Sequence, residues 1–433
     1  VPYVKRGDNA RELCFRSIGG AASVMKAIIA GGGIGGLTAA LCFNHFGWGV
    51  EVLEKAPELG EVGAGIQLSP NAMKVFEALG LGEALAGAAF RPEAIEIRMG
   101  ESGMRLIRTP LGDTAARRWG SPYLHIHRAD LIAVLRDALA DRAPDAVRLG
   151  AGVERYEQEG QTVSAVLSGG ERITADLLVG ADGIHSAIRT QMLGPDSPVF
   201  TGNVAWRSVV PVERLGKVVP DPVACAWMGR GKHAVTYLLR GGQLANLVAV
   251  VERDDWTKES WTEPGSREEA LRDFAGWHPT ITRLIEESDQ LFRWALFDRP
   301  PLKSWTDGRA AIMGDAAHPM LPFMAQGAAM AIEDAWALAA LTAASGDIPS
   351  ALSAYQKLRH PRASAVQARS RANAKTFHQR SVPGRLRNYG PIWLAGRLAP
   401  GAALARQDHI YGYDIVRSAR VHIDPGVADP AIG

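Results

Sequence analysis

The segment AIIAGGGIGGLTAALCFNHFGWGVEVLEKAP, residues 27–57, constrains the chain more than any other. Its apolar start, Ala27 to Ala30, reads as a short buried strand. Gly31, Gly33 and Gly36 then satisfy G-x-G-x-x-G, a small-residue helix follows, and a second apolar strand stops at Glu54. In such a unit the first glycine permits a tight turn and the second lets the backbone approach a pyrophosphate. The third lets helix and strand pack closely. The diphosphate sits at the helix N-terminus, where free N–H groups and the helix dipole favour an anion. Glu54, 18 residues after the last glycine, lies where a carboxylate accepts ribose hydroxyls. That acid would repel a 2′-phosphate, which argues against NADP here but does not separate NAD from FAD. Lys55 adjoins it and is counted with the cofactor site.

The chain has 433 residues, 47% hydrophobic and 22% charged, enough for two or three domains. A net charge of +2 gives no strong pull towards nucleic acid or anionic membranes. Cys14, Cys42 and Cys225 are far apart in sequence, which suggests neither a disulfide framework nor a thiol metal site and reads as a reducing, cytoplasmic setting. Residues 1–24 fit badly with the first strand of the glycine unit and are read as a leader or appended segment, with Met25-Lys26 as the natural start. His125 and His127 share a strand face, but no third metal ligand clusters with them.

Two later segments repeat a strand–turn–helix pattern. In RITADLLVGADGIHSAIR (172–189) a buried strand meets Gly180-Ala181-Asp182-Gly183; in RAAIMGDAAHPMLPFMAQGAAMAIEDAWA (309–337) another meets Gly314-Asp315, and Gln326-Gly327-Ala328 opens a helix. Taken singly, each could be a joint with Asp as N-cap. Together with the fingerprint, in this order, they resemble the single-component, FAD-dependent aromatic hydroxylases, over about residues 26–413. The resemblance implies an α/β fold: a discontinuous Rossmann-like FAD-binding domain (25–95, 125–198 and 300–355), an antiparallel-sheet substrate domain (96–124 and 199–299), and C-terminal helices with a tail (356–433).

It also implies roles. Glu54 holds the adenosine ribose, Asp182 lies near the diphosphate, Asp315 binds the ribityl chain, Arg128 contacts FAD and Val153 meets the adenine. The helix opened by Gly327 and Ala328 would aim its N–H groups at the flavin pyrimidine edge, where reduced flavin carries negative charge. The implied activity is hydroxylation of a phenolic or hydroxy-heteroaromatic, carboxylated substrate with NADH or NADPH and O2, through a C4a-hydroperoxyflavin. No metal is called for. The partners implied are a small aromatic substrate and O2, with the protein a monomer or homodimer. Alternatives are a non-catalytic carrier on the same fold and an NAD-dependent dehydrogenase.

On the substrate side, the runs AVTYLL and LANLVAVV bracket the turn Arg240-Gly241-Gly242-Gln243 and read as a hairpin. His233 and Tyr237, four apart in a strand, point to the same face. Hydroxylases acting on 3-hydroxybenzoate and 6-hydroxynicotinate carry such a pair against the substrate, where imidazole helps to take a phenolic proton. By spacing alone the pair could sit on an ordinary sheet face. Gln67 and Phe323 stand where 6-hydroxynicotinate enzymes carry histidines, and Pro322 where the 3-hydroxybenzoate enzymes place glutamine. Trp206, with Arg207, lies where relatives carry an aromatic–Arg pair beside the flavin. Gln67, Trp206, Pro322 and Phe323 are therefore expected to line the substrate cavity, and Phe323 to disfavour 6-hydroxynicotinate.

Overall fold

The structure, a computed structural model, describes residues 24–60, 64–253, 263–398 and 400–424. Residues 1–23, most of the expected leader and Cys14 among them, lie outside the described residues.

The fingerprint unit builds the first layer. Lys26–Ala30 and Gly49–Leu53 pair in parallel, and Leu177–Gly180 pairs on the other side with Ala27 opposite Leu177. Ala310–Ile312 and Val147–Arg148 extend the parallel sheet outward, and Thr306–Asp307 closes one edge antiparallel. Parallel strands buried on both faces need continuous apolar runs, and Ala27, Ile28, Ile29 and Leu177 to Val179 are all fully buried. The helix Ile34–His45 is buried almost throughout its length. It packs against the helix Gly327–Ala344 through small residues, with the Cβ position of Gly35 falling 3.4 Å from Cβ of Ala331.

The second layer is a seven-stranded sheet in the order Phe292–Asp298, Val199–Pro211, Leu244–Glu252, Lys232–Leu239, Ala224–Gly229, Ala94–Met99 and Arg105–Pro110. The hairpin read at 240–243 is present, with Leu239 opposite Leu244 and Arg240, Gly241 and Gly242 all at positive φ. One pairing departs from the antiparallel expectation: Ala94–Met99 runs parallel to Ala224–Gly229. These strands come from distant parts of the chain, so no hairpin dictates their direction.

One face of this sheet packs on the helices Arg267–Asp273 and Pro279–Glu286 around Trp206, Trp227, Phe274 and Trp277. The other face looks towards the first layer. Ile348–Phe377 is a long helix, and the Pro- and Gly-bearing tail beyond it is also helical over Val382–Leu398. Pro383 falls in the first turn of that helix, where its missing N–H costs nothing. Among the described residues no helix is long and apolar enough to cross a membrane.

Candidate functional site

Between the two layers lies a cavity of about 500 Å³, lined by both. Its first wall is the glycine turn. Gly31 has φ +106°, and a Cβ there would fall 2.4 Å from the carbonyl oxygen of Ala181. At Gly36 a Cβ would fall 1.9 Å from the carbonyl oxygen of Gly31, so only glycine lets the helix begin this close to the strand. At Gly33 a Cβ would meet nothing within 4 Å; this residue faces the open cavity.

Glu54 stands at the rim of this turn. Its Oε2 accepts from Gly32 N at 2.6 Å and its Oε1 from Ala56 N at 2.8 Å. Each oxygen keeps a second lone pair, so the carboxylate is aimed by the backbone and can still accept two hydroxyls. Lys55, Gly152 and Val153 continue the wall. Asp182 accepts from Ile188 N at 3.2 Å through Oδ2, whereas its Oδ1 is buried with no hydrogen-bond partner. Burial raises the carboxyl pKa of Asp182 and likewise of Asp315. Arg128 opens the helix Arg128–Arg142, and burial, with Arg207 nearby, lowers its pKa to about 10. Gly327 and Ala328 line the cavity at the start of their helix. Ala325, just before it, holds the left-handed conformation at φ 51°, ψ 38°. Such strain in a residue with a Cβ persists where its surroundings over-determine it.

The opposite wall is the inner sheet face. His233, Val235 and Tyr237 alternate into the cavity, as a strand requires. Gln67 lines it too, and accepts from the Tyr123 hydroxyl at 2.6 Å. Pro322 also lines the cavity.

Two expected substrate contacts are corrected. Trp206 is fully buried on the far face of the sheet, where its Nε1 donates to Asp273 at 2.9 Å. Strand alternation instead turns its neighbour Arg207 into the cavity, with its guanidinium 4.7 Å from the Trp294 ring centroid. Burial lowers the pKa of Arg207 to about 10, which leaves it cationic at neutral pH. Phe323 is not part of the cavity wall. It packs behind His233, with ring centroids 5.1 Å apart. The departure at 323 therefore changes the neighbour of His233 and gives no ground for disfavouring 6-hydroxynicotinate.

The sequence reading missed what braces the loop at 314–326. Glu333 and Asp334 are fully buried, as is Arg359. Arg359 contacts Glu333 at 2.5 Å and Asp334 at 2.8 Å, and Asp334 also accepts from Gly314 N at 3.1 Å. Nε2 of His318 lies 2.5 Å from Asp334. Asn71 links Glu333 at 2.7 Å to Gln326 at 3.2 Å. Burial alone would raise the Asp334 carboxyl, but His318 and Arg359 outweigh it and hold it at about 2. The signal was the charged pair Glu333-Asp334 inside an otherwise apolar helix, since such charges are buried only when paired.

A glycine turn open to the cavity, a ribose-height acid and a buried, unsatisfied Asp182 oxygen fit a flavin dinucleotide. Comparison with known proteins agrees: the family described as "FAD binding domain" matches residues 24–370. The chain belongs to that family. It is 40% identical over 379 residues to a 3-amino-4-hydroxybenzoate 2-monooxygenase of Streptomyces platensis, covering 85% of this chain and 95% of the relative. It is 38% identical over 390 residues to a 3-hydroxybenzoate 6-hydroxylase of Aquipseudomonas alcaligenes, covering 90% and 98%. A salicylate hydroxylase substrate complex superposes with TM-score 0.76 at 27% identity, covering 94% of this chain and all of that one. As an FAD binding domain protein with these relatives, the chain is a flavoprotein monooxygenase of the aromatic hydroxylase class, with FAD as its cofactor.

Proposed function

We propose that the cavity takes a small phenolic carboxylate and that the protein hydroxylates its ring with NADH or NADPH and O2. One observation carries this reading: Arg207, His233 and Tyr237 reach into the cavity from a single sheet face, opposite the glycine wall. Bound FAD supplies the activated oxygen. Gly31, Gly33, Gly36, Glu54, Lys55 and Val153 would hold its adenosine and diphosphate, with Asp182, Arg128 and Asp315 further along. Gly327 and Ala328 would meet the ring system.

The chain's own groups then act on the substrate. Arg207 is the buried cation for the carboxylate. Burial raises the Tyr237 phenol, with Arg207 opposing, so it stays protonated and serves as a hydrogen-bond donor to the phenolic oxygen. His233 receives the phenolic proton. Val235, Val248 and Leu321 supply apolar wall that excludes water.

The relatives' names point to hydroxybenzoates and aminohydroxybenzoates as the first compounds to try. The test is a screen of 3-amino-4-hydroxybenzoate, 3-hydroxybenzoate, salicylate and 6-hydroxynicotinate, following NADH and NADPH consumption and product together. Stimulated consumption with matching product supports the reading. Binding of FAD without turnover of any phenol would move the protein to a carrier role.

A further inference from the structure

His233 has a row of partners behind it. Its Nδ1 lies 2.7 Å from Nε2 of His378. Nδ1 of His378 lies 3.1 Å from Oε1 of Glu252, and Nε of Arg380 donates to Oε2 of Glu252 at 2.7 Å. Exposure rises along the row. His233 and His378 are 2% and 5% exposed, whereas the side chains of Glu252 and Arg380 are 29% and 71% exposed. Three elements meet to build it: the strand Lys232–Leu239, the end of the helix Ile348–Phe377 and the end of the strand Leu244–Glu252. Phe323 and Phe377 flank the His233 ring at centroid distances of 5.1 and 5.2 Å and jacket it in apolar surface.

The donors and acceptors give the row a direction. A carboxylate only accepts, so His378 presents Nδ1–H to Glu252. Its Nε2 then holds a lone pair and accepts from Nδ1–H of His233. That leaves the lone pair of His233 on Nε2, the ring nitrogen available to a ligand in the cavity. Alone, His233 would be a poor base: burial, and His378 beside it, press its pKa well below the usual imidazole range. A proton that stayed on it would be a buried cation, which is costly.

We propose that His233, His378 and Glu252 form a relay that carries the substrate's phenolic proton from the cavity to the surface. The N–H bond forms at Nε2 of His233 as its Nδ1–H bond breaks, and that proton joins Nε2 of His378. The Nδ1 proton of His378 passes to Glu252, which exchanges it with water. Both imidazoles end neutral with their tautomers reversed, and the same row run backwards resets them. His378 and Glu252 are positioning residues that act through His233. The proposal rests on the reading that a phenol binds against His233.

The test uses the FAD-loaded full chain with 3-amino-4-hydroxybenzoate and 3-hydroxybenzoate as probes. Rapid mixing in weakly buffered solution with a pH-indicator dye reads the proton leaving the protein. The flavin absorption band reads binding in the same experiment. In His378→Gln the amide oxygen still accepts from His233 but passes no proton; Glu252→Gln tests the exposed end without touching the interior. Proton release at least tenfold slower in both variants, with binding rate and Kd unchanged, is the expected result. Parent-rate release in either variant, or no proton released by the parent on binding, overturns the relay. If the parent releases a proton but does not hydroxylate the probe, the functional reading falls and the relay stands. If it hydroxylates while the variants release protons normally, the relay alone falls. Failure of the parent to bind either probe overturns both.

Discussion

Gly65 and Tyr237 share one volume: a Cβ on Gly65 would lie 2.4 Å from Cε2 of the tyrosine ring. The backbone of the Gly65–Leu68 strand is thus the seat of Tyr237, and Asn246 fixes it by accepting from Gly65 N at 2.8 Å. Gly65→Ala should destabilise the fold by about 1–3 kcal/mol, the usual cost of overpacking. Tyr237→Ala should remove that penalty, because the space reopens. A double-mutant cycle on thermal unfolding measures it; additive effects of the two changes would show that the ring does not press on residue 65.

Glu54 is held by two backbone N–H groups, so its loss both removes the proposed ribose acceptor and loosens the turn at Gly32. Glu54→Ala should weaken FAD binding by about 1.5–3 kcal/mol, the range for hydrogen bonds to a charged group. Flavin fluorescence titration of the apoprotein reads this directly. Unchanged affinity would remove Glu54 from the ribose site.

Arg207→Met keeps the apolar stem of the side chain and removes the charged guanidinium. Affinity for a carboxylated phenol should fall roughly 10- to 100-fold, corresponding to about 1.5–3 kcal/mol, with flavin content retained. The same phenol without its carboxylate should be much less affected. Equal losses for both ligands would mean that Arg207 is not the carboxylate partner.

Asp334 carries a pH signature. Its folded pKa of about 2 lies below the ordinary 3.8, so its contribution is complete above 3.8 and drains away as pH falls towards 2. By linkage it is on the order of 2 kcal/mol at neutral pH and clearly smaller by pH 3. Urea unfolding of the parent and of Asp334→Asn should therefore differ clearly at pH 7 and by much less at pH 3. An equal difference at both pH values would contradict the assignment.

The sequence made the fold legible where structure is local. Residues 27–54 contain a whole strand–helix–strand unit, with the tight turn expected at Gly31 and the close packing expected at Gly36 both present. The acid and loop residues expected at the cofactor also line one cavity, because short turns tie them to strand ends. Long-range features were not legible. The parallel pairing of Ala94–Met99 with Ala224–Gly229 is set by packing of distant segments. Trp206 was misplaced for want of strand parity: in Val199–Pro211 alternate residues face opposite layers, so a choice between neighbours decides everything. Phe323 and His378 could be connected to His233 only in three dimensions, since His378 is 145 residues away.

The reaction proposed for this chain inserts one oxygen atom from O2 into a phenolic carboxylate. Turnover under ¹⁸O2 with NADH or NADPH, following 3-amino-4-hydroxybenzoate and 3-hydroxybenzoate by mass spectrometry, reads that step without an intermediary. The expected result is a hydroxylated product carrying one ¹⁸O atom, formed in proportion to the nicotinamide consumed. Nicotinamide oxidation that yields only hydrogen peroxide with every phenol, or a product whose new oxygen comes from water, would contradict it.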